Sequence, residues 1–278
     1  MTIIRTFLHS GRFVAGFLIL LAVLIFGILG PTLSSKDPLE MAGSIYQKPD
    51  DKFLLGTDNF GRDVLTELKF GTRTSLTVGL LGGVMATAIG LSVGTLAGFR
   101  GGWVEELLMG LTNVLITIPT IVILILLSVA ITVRSAWVMS LIIGVTAWPW
   151  TARAVRAQTS SLRTRPHLDI ARLSGSSGFA MAIIDVLPYM ASYVFMALIL
   201  QVSSAILSEA TLSMLGLGPT NTISLGVMLN WALLWESVRT GAWWAFLPPV
   251  VMLSVTSFAL LAMNSGMDEI FNPRLRRR

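Results

Sequence analysis

Long apolar segments separated by polar ones are the first constraint this chain must satisfy. The stretch from Phe13 to Leu29 is long enough to cross a bilayer with slight tilt, since a helical crossing takes about 20 residues. Five more such segments follow, and the six read as spans at 13–30, 76–98, 111–133, 136–152, 189–215 and 243–263. The 278 residues are 54% hydrophobic and 13% charged, and the mean hydropathy is +0.76. No ordinary soluble domain has that balance. The expected fold class is an all-α membrane protein with about six transmembrane helices.

The basic residues orient these spans. Arg5 and Arg12 precede the first span, and no small-x-small cleavage site follows before Pro31, so it reads as a retained signal anchor. With the N-terminus inside, the inner segments carry Arg100, Arg153, Arg156, Arg163, Arg165 and Arg172, and the tail carries Arg274, Arg276, Arg277 and Arg278. The short outer loops carry only Arg134 and Arg239, with Arg73 a local exception near an outer end. The positive-inside rule then places both termini in the cytoplasm. The chain divides into 1–31, the N-terminal end and first span; 32–70, a polar outer loop; and 71–278, the remaining spans with a long inner segment at about 157–187.

Several function classes drop out. Cysteine is absent, and the two histidines, His9 and His167, lie far apart, so neither disulfides nor a cysteine- or histidine-based metal site is expected. All four lysines, Lys36, Lys48, Lys52 and Lys69, fall in the 32–70 loop. That excludes a P-loop, which needs Gly-Lys-Ser/Thr. The net charge of +5 reads as topology anchoring rather than nucleic-acid binding. A secondary transporter would show a mid-span acid and often an internal repeat, neither of which is evident. No catalytic constellation suggests a membrane enzyme.

Within the spans, Gly79, Gly83, Ala86, Gly90, Gly94 and Gly98 share one helical face, as close helix packing in lipid requires. Gln201, Ser204, Ser208 and Thr211 form a polar stripe on the fifth span. Such a stripe either faces a wet pathway or makes interhelical hydrogen bonds. Glu209 lies about 30 Å along the helix from Pro188, near the outer face, where a structural or gating role suits it better than a proton relay. Trp231, Trp235, Trp243 and Trp244 suit an interfacial aromatic belt, with contact to an external partner or a sugar-like substrate as the alternative. The tail Asn272-Pro273-Arg274-Leu275-Arg276-Arg277-Arg278 suits anchoring on anionic lipid.

Between the fourth and fifth spans stands a polar island, His167-Leu168-Asp169-Ile170-Ala171-Arg172-Leu173-Ser174-Gly175, closed by Asp185-Val186-Leu187-Pro188. Pro166 suits a first helical position and Gly175 a position just past the last turn. Asp169 falls in the first turn, where a carboxylate complements the helix dipole. The island therefore predicts a short helix outside the bilayer. It resembles the EAA loop of binding-protein-dependent ABC importer permeases. Gly175 and Pro188 keep that loop's spacing and Ala171 matches it, while Asp169 replaces the usual glutamate and Ile170 an alanine.

Three more blocks extend the resemblance. Leu55-Gly56-Thr57-Asp58-Asn59-Phe60-Gly61-Arg62-Asp63-Val64 is similar to the LGTDxxGRD signature of dipeptide, oligopeptide and nickel permeases. Ile206 to Gly218 is similar to their ILAEAALSFLGLG block, and Asn272 to Arg276 to their DPRLR ending. Thr66-Glu67 departs from the Ser-Arg common after the signature. The order and spacing of the four blocks match the C-type subunit, and the resemblance runs from about residue 10 to the end.

The resemblance implies a type I importer permease in a prokaryotic inner membrane, paired with a second homologous permease, two ATPase subunits and an extracytoplasmic binding protein. It implies that His167, Leu168, Asp169, Ile170, Ala171, Arg172, Gly175, Leu187 and Pro188 form the loop that docks on an ATPase. ATP and Mg would bind those partner subunits, with no cofactor in this chain. Gly56, Thr57, Asp58, Gly61, Arg62 and Asp63 form the outer signature. Short peptides are the expected cargo, with oligosaccharides or nickel as alternatives.

Overall fold

The computed structural model describes residues 10–271, apart from the side chains of His167, Asp169, Ala171, Arg172, Phe179 and residues 268–271. The basic tail, His9 and Arg5 lie outside the described residues. Among the described residues ten main helices carry the fold and no β-strand occurs.

Helix α1 spans Gly11–Leu33, and Ser10 caps it by accepting the Phe13 N–H at 3.4 Å. A loop covers 34–63, and α2 follows at Val64–Arg100. The loop therefore ends seven residues before the expected 70. Asp63 is the reason: its carboxylate accepts the Leu65 N–H at 3.2 Å and starts the helix at Val64. At 37 residues, α2 is about 55 Å long, well beyond a bilayer core of about 30 Å.

The third and fourth spans are bent. Helices α3 (Gly102–Thr117) and α4 (Thr120–Ala130) meet at 86° within the region read as a span over 111–133. Pro119 lacks an N–H and drives Ile118 out of the helical region, to φ −84° and ψ 127°. Helices α5 (Ala136–Ala147) and α6 (Pro149–Arg163) meet at 44° beside Pro149. The helix runs past the expected end at 152 because α6 is amphipathic. Thr151, Ala152, Val155, Thr159 and Leu162 are buried on one face while Arg153 stays exposed on the other. A hydropathy reading registers only the fully apolar part of such a helix.

Helix α7 spans Pro166–Leu173. A single turn, Gly178–Ala180, and a π-helical stretch, Met181–Val186, lead into α8 (Leu187–Leu212), which closes in a second π-helical stretch, Ser213–Leu217. Helices α9 (Leu225–Leu234) and α10 (Trp243–Phe271) complete the bundle. Among the described residues four helical segments are long and apolar enough to cross a membrane, or up to six if each bent pair counts as one span.

Helix α2 is the axis, packed against α1, α5, α6 and α8. Its small residues make this work, as the sequence reading expects. A Cβ at Gly83 would sit 2.7 Å from Val202 Cα on α8, and one at Gly90 would sit 2.6 Å from Thr151 Cβ on α6. A Cβ at Gly94 would meet the Ala152 carbonyl oxygen at 2.5 Å. Without a hydrophobic driving force between helices in lipid, such close backbone approach supplies the packing energy. The bundle has two distinct ends. One carries the 34–63 loop, and the other carries α7 and the junctions around Gly101 and Arg163.

Candidate functional site

At the α7 end, a short helix stands out from the bundle. Leu168 is its anchor, fully buried among Val155, Leu162, Met181, Val186 and Met190. Ile170 and Leu173 point outward, 65% and 89% exposed. The helix ends as the sequence predicts. The Ser174 N–H donates to the Ile170 carbonyl at 2.9 Å, and Gly175 turns the chain with φ +79°. Among the described residues, chain neighbours aside, no atom lies within 4 Å of a Cβ built on Gly175. Pro188 is exposed in the first turn of α8, and Leu187 borders a largely apolar groove against Thr95, Phe99 and Arg100. Of the residues expected here, Leu168, Ile170, Gly175, Leu187 and Pro188 come together at one end of the bundle. The side chains of His167, Asp169, Ala171 and Arg172 lie outside the described residues.

One ion pair and one hydrogen bond join α3 to α6 at the same end. Arg156 pairs with Glu105, and Arg153 Nη2 donates to Asn113 Oδ1 at 2.9 Å. These residues line a polar groove with Glu106. In the sequence Arg153 and Arg156 are legible only as topology markers, because their partners come from a different span.

At the opposite end the outer signature builds a brace. Asp58 Oδ1 accepts the Phe60 and Arg62 N–H groups, each at 2.8 Å. Burial pushes the Asp58 carboxyl above the usual range, against these bonds and the nearby Arg62 charge, which lower it. Gly56 and Gly61 adopt φ +66° and +77°, and a Cβ on Gly61 would run into the Gly43 carbonyl. Thr57 is buried, with its carbonyl accepting the Trp244 indole N–H at 3.0 Å. Asp63 caps α2, accepts the Thr66 hydroxyl at 2.9 Å and pairs with Lys36 at 2.8 Å. The Arg62 guanidinium lies 4.3 Å from the centre of the Phe60 ring and 4.6 Å from that of the Trp231 ring, in the angle of two rings that meet edge to face.

The tryptophans divide accordingly. Trp244 is buried in the core and holds the loop, and Trp231 packs against Phe60 and Arg62. Of these four, Trp235 and Trp243 are the exposed pair.

The polar stripe on α8 divides as well. Gln201 is buried, and its Nε2 donates to the Ala147 carbonyl at 2.9 Å and to Thr151 Oγ1 at 2.7 Å. Ser204 and Thr211 are exposed and Ser208 is half-buried. Thr211 turns its hydroxyl back to the Leu207 carbonyl at 2.8 Å. The four share a sector of the helix but not one environment. The more connected polar residue is Glu209, which is 0% exposed. Its Oε2 accepts from Ser75 at 2.8 Å and its Oε1 from Ser213 at 2.6 Å. Three side chains meeting from α2, α8 and the stretch that follows it favour the structural side of the structural-or-gating role expected for Glu209.

Among the described residues no group of three or more acidic, histidine or cysteine side chains is placed to hold a metal ion. Sequence comparison then fixes the class. The chain is 30% identical to the dipeptide transport system permease protein DppC of Bacillus subtilis, over 95% of this chain and 82% of that protein. It is 30% identical to a putative peptide transport system permease protein of Brucella suis, over 98% of this chain and 91% of that one. It is 29% identical to the oligopeptide transport system permease protein OppC of Mycobacterium bovis, over 99% of this chain and 94% of that one. Residues 90–277, which include α7 and Glu209, match the description of a binding-protein-dependent transport system inner membrane component, and the chain belongs to that family of permeases.

Proposed function

We propose that the chain is one of two permease subunits of an ATP-driven importer of short peptides, and that α7 is where ATPase motion enters it. The observation that carries this reading is the form of α7. It is a helix of 8 residues, pinned by one buried leucine and presenting two exposed apolar side chains away from the bundle. A rigid body so attached transmits a push to α6 and to the 181–190 stretch through the cluster around Leu168. Closure of two ATP-bound subunits would move α7, tilt α6 and α8 about α2, and so alternate access between the two faces. ATP and Mg belong to those partner subunits, and this chain holds no cofactor of its own.

Peptide cargo is supported by the names of the three relatives. In this reading the α7 end is cytoplasmic, in keeping with Arg100, Arg153, Arg156, Arg163 and Arg165. Both termini are cytoplasmic, and the 34–63 loop faces an extracytoplasmic binding protein. Ser204, Ser208 and Thr211 lie on the side of α8 that a second permease or the pathway would meet, while Gln201 serves packing. The decisive experiment is reconstitution of the complete assembly with Leu173→Asp. Binding-protein-stimulated ATP hydrolysis and peptide uptake should fall at least tenfold while the four subunits still copurify. Full stimulated activity in the variant would remove α7 from the coupling route.

A further inference from the structure

Where the outer loop meets the first turn of α2, two acidic side chains are buried against each other. Asp58 is 4% exposed and Glu67 2%, and their carboxyls are in direct side-chain hydrogen-bond contact. An ionised carboxyl can only accept a hydrogen bond, so this contact needs a proton on one of the two. Asp58 Oδ2 and Glu67 Oε1 meet no other donor among the described residues.

The charges around the pair give the same count. Asp63 has its own cation, Lys36, at 2.8 Å. That leaves Arg62 as the cation facing Asp58 and Glu67, and its Nη1 stands 3.9 Å from Glu67 Oε1, too far for a hydrogen bond. From α9 and α10 the pair meets Met228, Trp231, Ala232 and Ala245, none of them titratable. One guanidinium balances one carboxylate. A second buried negative charge would stand unpaired, which interiors avoid by taking up a proton. Glu67 lies in α2 ahead of the span read at 76–98. Burial, with the neighbouring Asp58 charge, holds its carboxyl well above the usual range, against the Arg62 charge, which lowers it.

We propose that Asp58 and Glu67 share one proton, which clasps the signature loop to the first turn of α2 and is released to the water outside when the external pH rises. That the loop meets external water rests on the orientation proposed above. The proton belongs to the pair rather than to either residue. Asp58 is the lever, because its Oδ1 accepts the Phe60 and Arg62 N–H groups, each at 2.8 Å, and so sets the turn of the loop. Loss of the proton puts two like charges in contact and drives that turn away from α2. A titration raised in the folded state stabilises fully below the ordinary carboxylate range, and its contribution is lost as pH rises through the pair's own range. The loop therefore loosens toward alkaline pH.

Hydrogen exchange in the intact assembly, compared at matched pH with a Glu67→Gln variant, tests this. Glutamine keeps a donor toward Asp58 and cannot ionise. Amides of residues 56–63 should exchange alike in the two proteins at about pH 5, near the ordinary carboxylate range. Once the pair loses its proton, exchange in the parent should exceed that in the variant about tenfold more for each further pH unit. Asp58→Asn keeps Oδ1 and can donate to an ionised Glu67. It should abolish the same pH dependence, which covers the case in which Glu67→Gln fails to assemble. A parent-to-variant ratio that stays flat up to about pH 10, above the range documented for buried glutamates, would overturn the clasp. Peptide uptake into proteoliposomes reads the consequence. It should decline with rising external pH in the parent and not in Glu67→Gln, and equal profiles would overturn the switch. Absence of uptake by both proteins at every pH would count against the proposed cargo instead, with exchange still deciding the clasp.

Discussion

Ser75 on α2 donates its hydroxyl proton to the Oε2 of Glu209 on α8 at 2.8 Å, across 134 residues of sequence and fully buried. The same Ser75 oxygen accepts the Leu225 N–H at 3.1 Å, in the first turn of α9. The Ser213 hydroxyl donates to the second Glu209 oxygen, Oε1, and the Ser224 hydroxyl donates to Ser213 Oγ at 3.4 Å while its oxygen caps α9 by accepting the Val227 N–H. One carboxyl group thus sets the relative positions of α2, α8 and α9.

Removing that group should loosen the bundle. Glu209→Leu leaves the Ser75 and Ser213 hydroxyls without their acceptor, and each unsatisfied buried group costs about 1–3 kcal/mol. Glu209→Gln keeps one acceptor oxygen and should lose about half as much. Thermal unfolding of the detergent-solubilised assembly reads this as a lower midpoint for Leu than for Gln. Equal midpoints for Leu and parent would show the node to be energetically idle.

Glycine packing on α2 predicts a contrast between two substitutions of the same kind. Gly94→Ala places a Cβ 2.5 Å from the Ala152 carbonyl oxygen, an overpacking of about 1–3 kcal/mol. Gly110→Ala on α3 meets nothing within 4 Å and should stabilise by about 0.5–1 kcal/mol through helix propensity. Yield and thermal midpoint should move in opposite directions for the two variants.

At Gly175 the constraint is conformational rather than steric, since φ is +79° and the space beside it is open. Gly175→Ala should cost about 1–2 kcal/mol in the left-handed region. Gly175→Val should cost more, as a β-branched residue, and should impair stimulated ATP hydrolysis in proportion. A well-expressed Gly175→Val complex with parental hydrolysis and uptake would separate this turn from coupling.

Topology is testable without background labelling, because the chain has no cysteine. In intact cells an impermeant maleimide should label Asp51→Cys in the loop and leave Ser161→Cys unlabelled until the membrane is opened. Labelling of Ser161→Cys in sealed cells would reverse the proposed orientation.

Much of this architecture was legible from residue order alone. The apolar runs predict the crossings because lipid offers the backbone no alternative partner, and Pro166 and Gly175 mark the ends of α7 because their backbone preferences are local. The small face of α2 is likewise local, since a 3.6-residue period needs no knowledge of the neighbour. Tertiary structure decided what each polar group meets. Gln201 and Ser204 lie three residues apart, yet one is bonded to α6 and the other is exposed, because only the positions of α5 and α6 distinguish them. Trp244 became a clamp on Thr57 and Glu209 a node for Ser75 through contacts between distant segments. The bends at Pro119 and Pro149 could be placed from sequence, but their angles of 86° and 44° come from packing. Local conformation is encoded residue by residue, whereas hydrogen-bond partners across a bundle depend on how whole helices are set against one another.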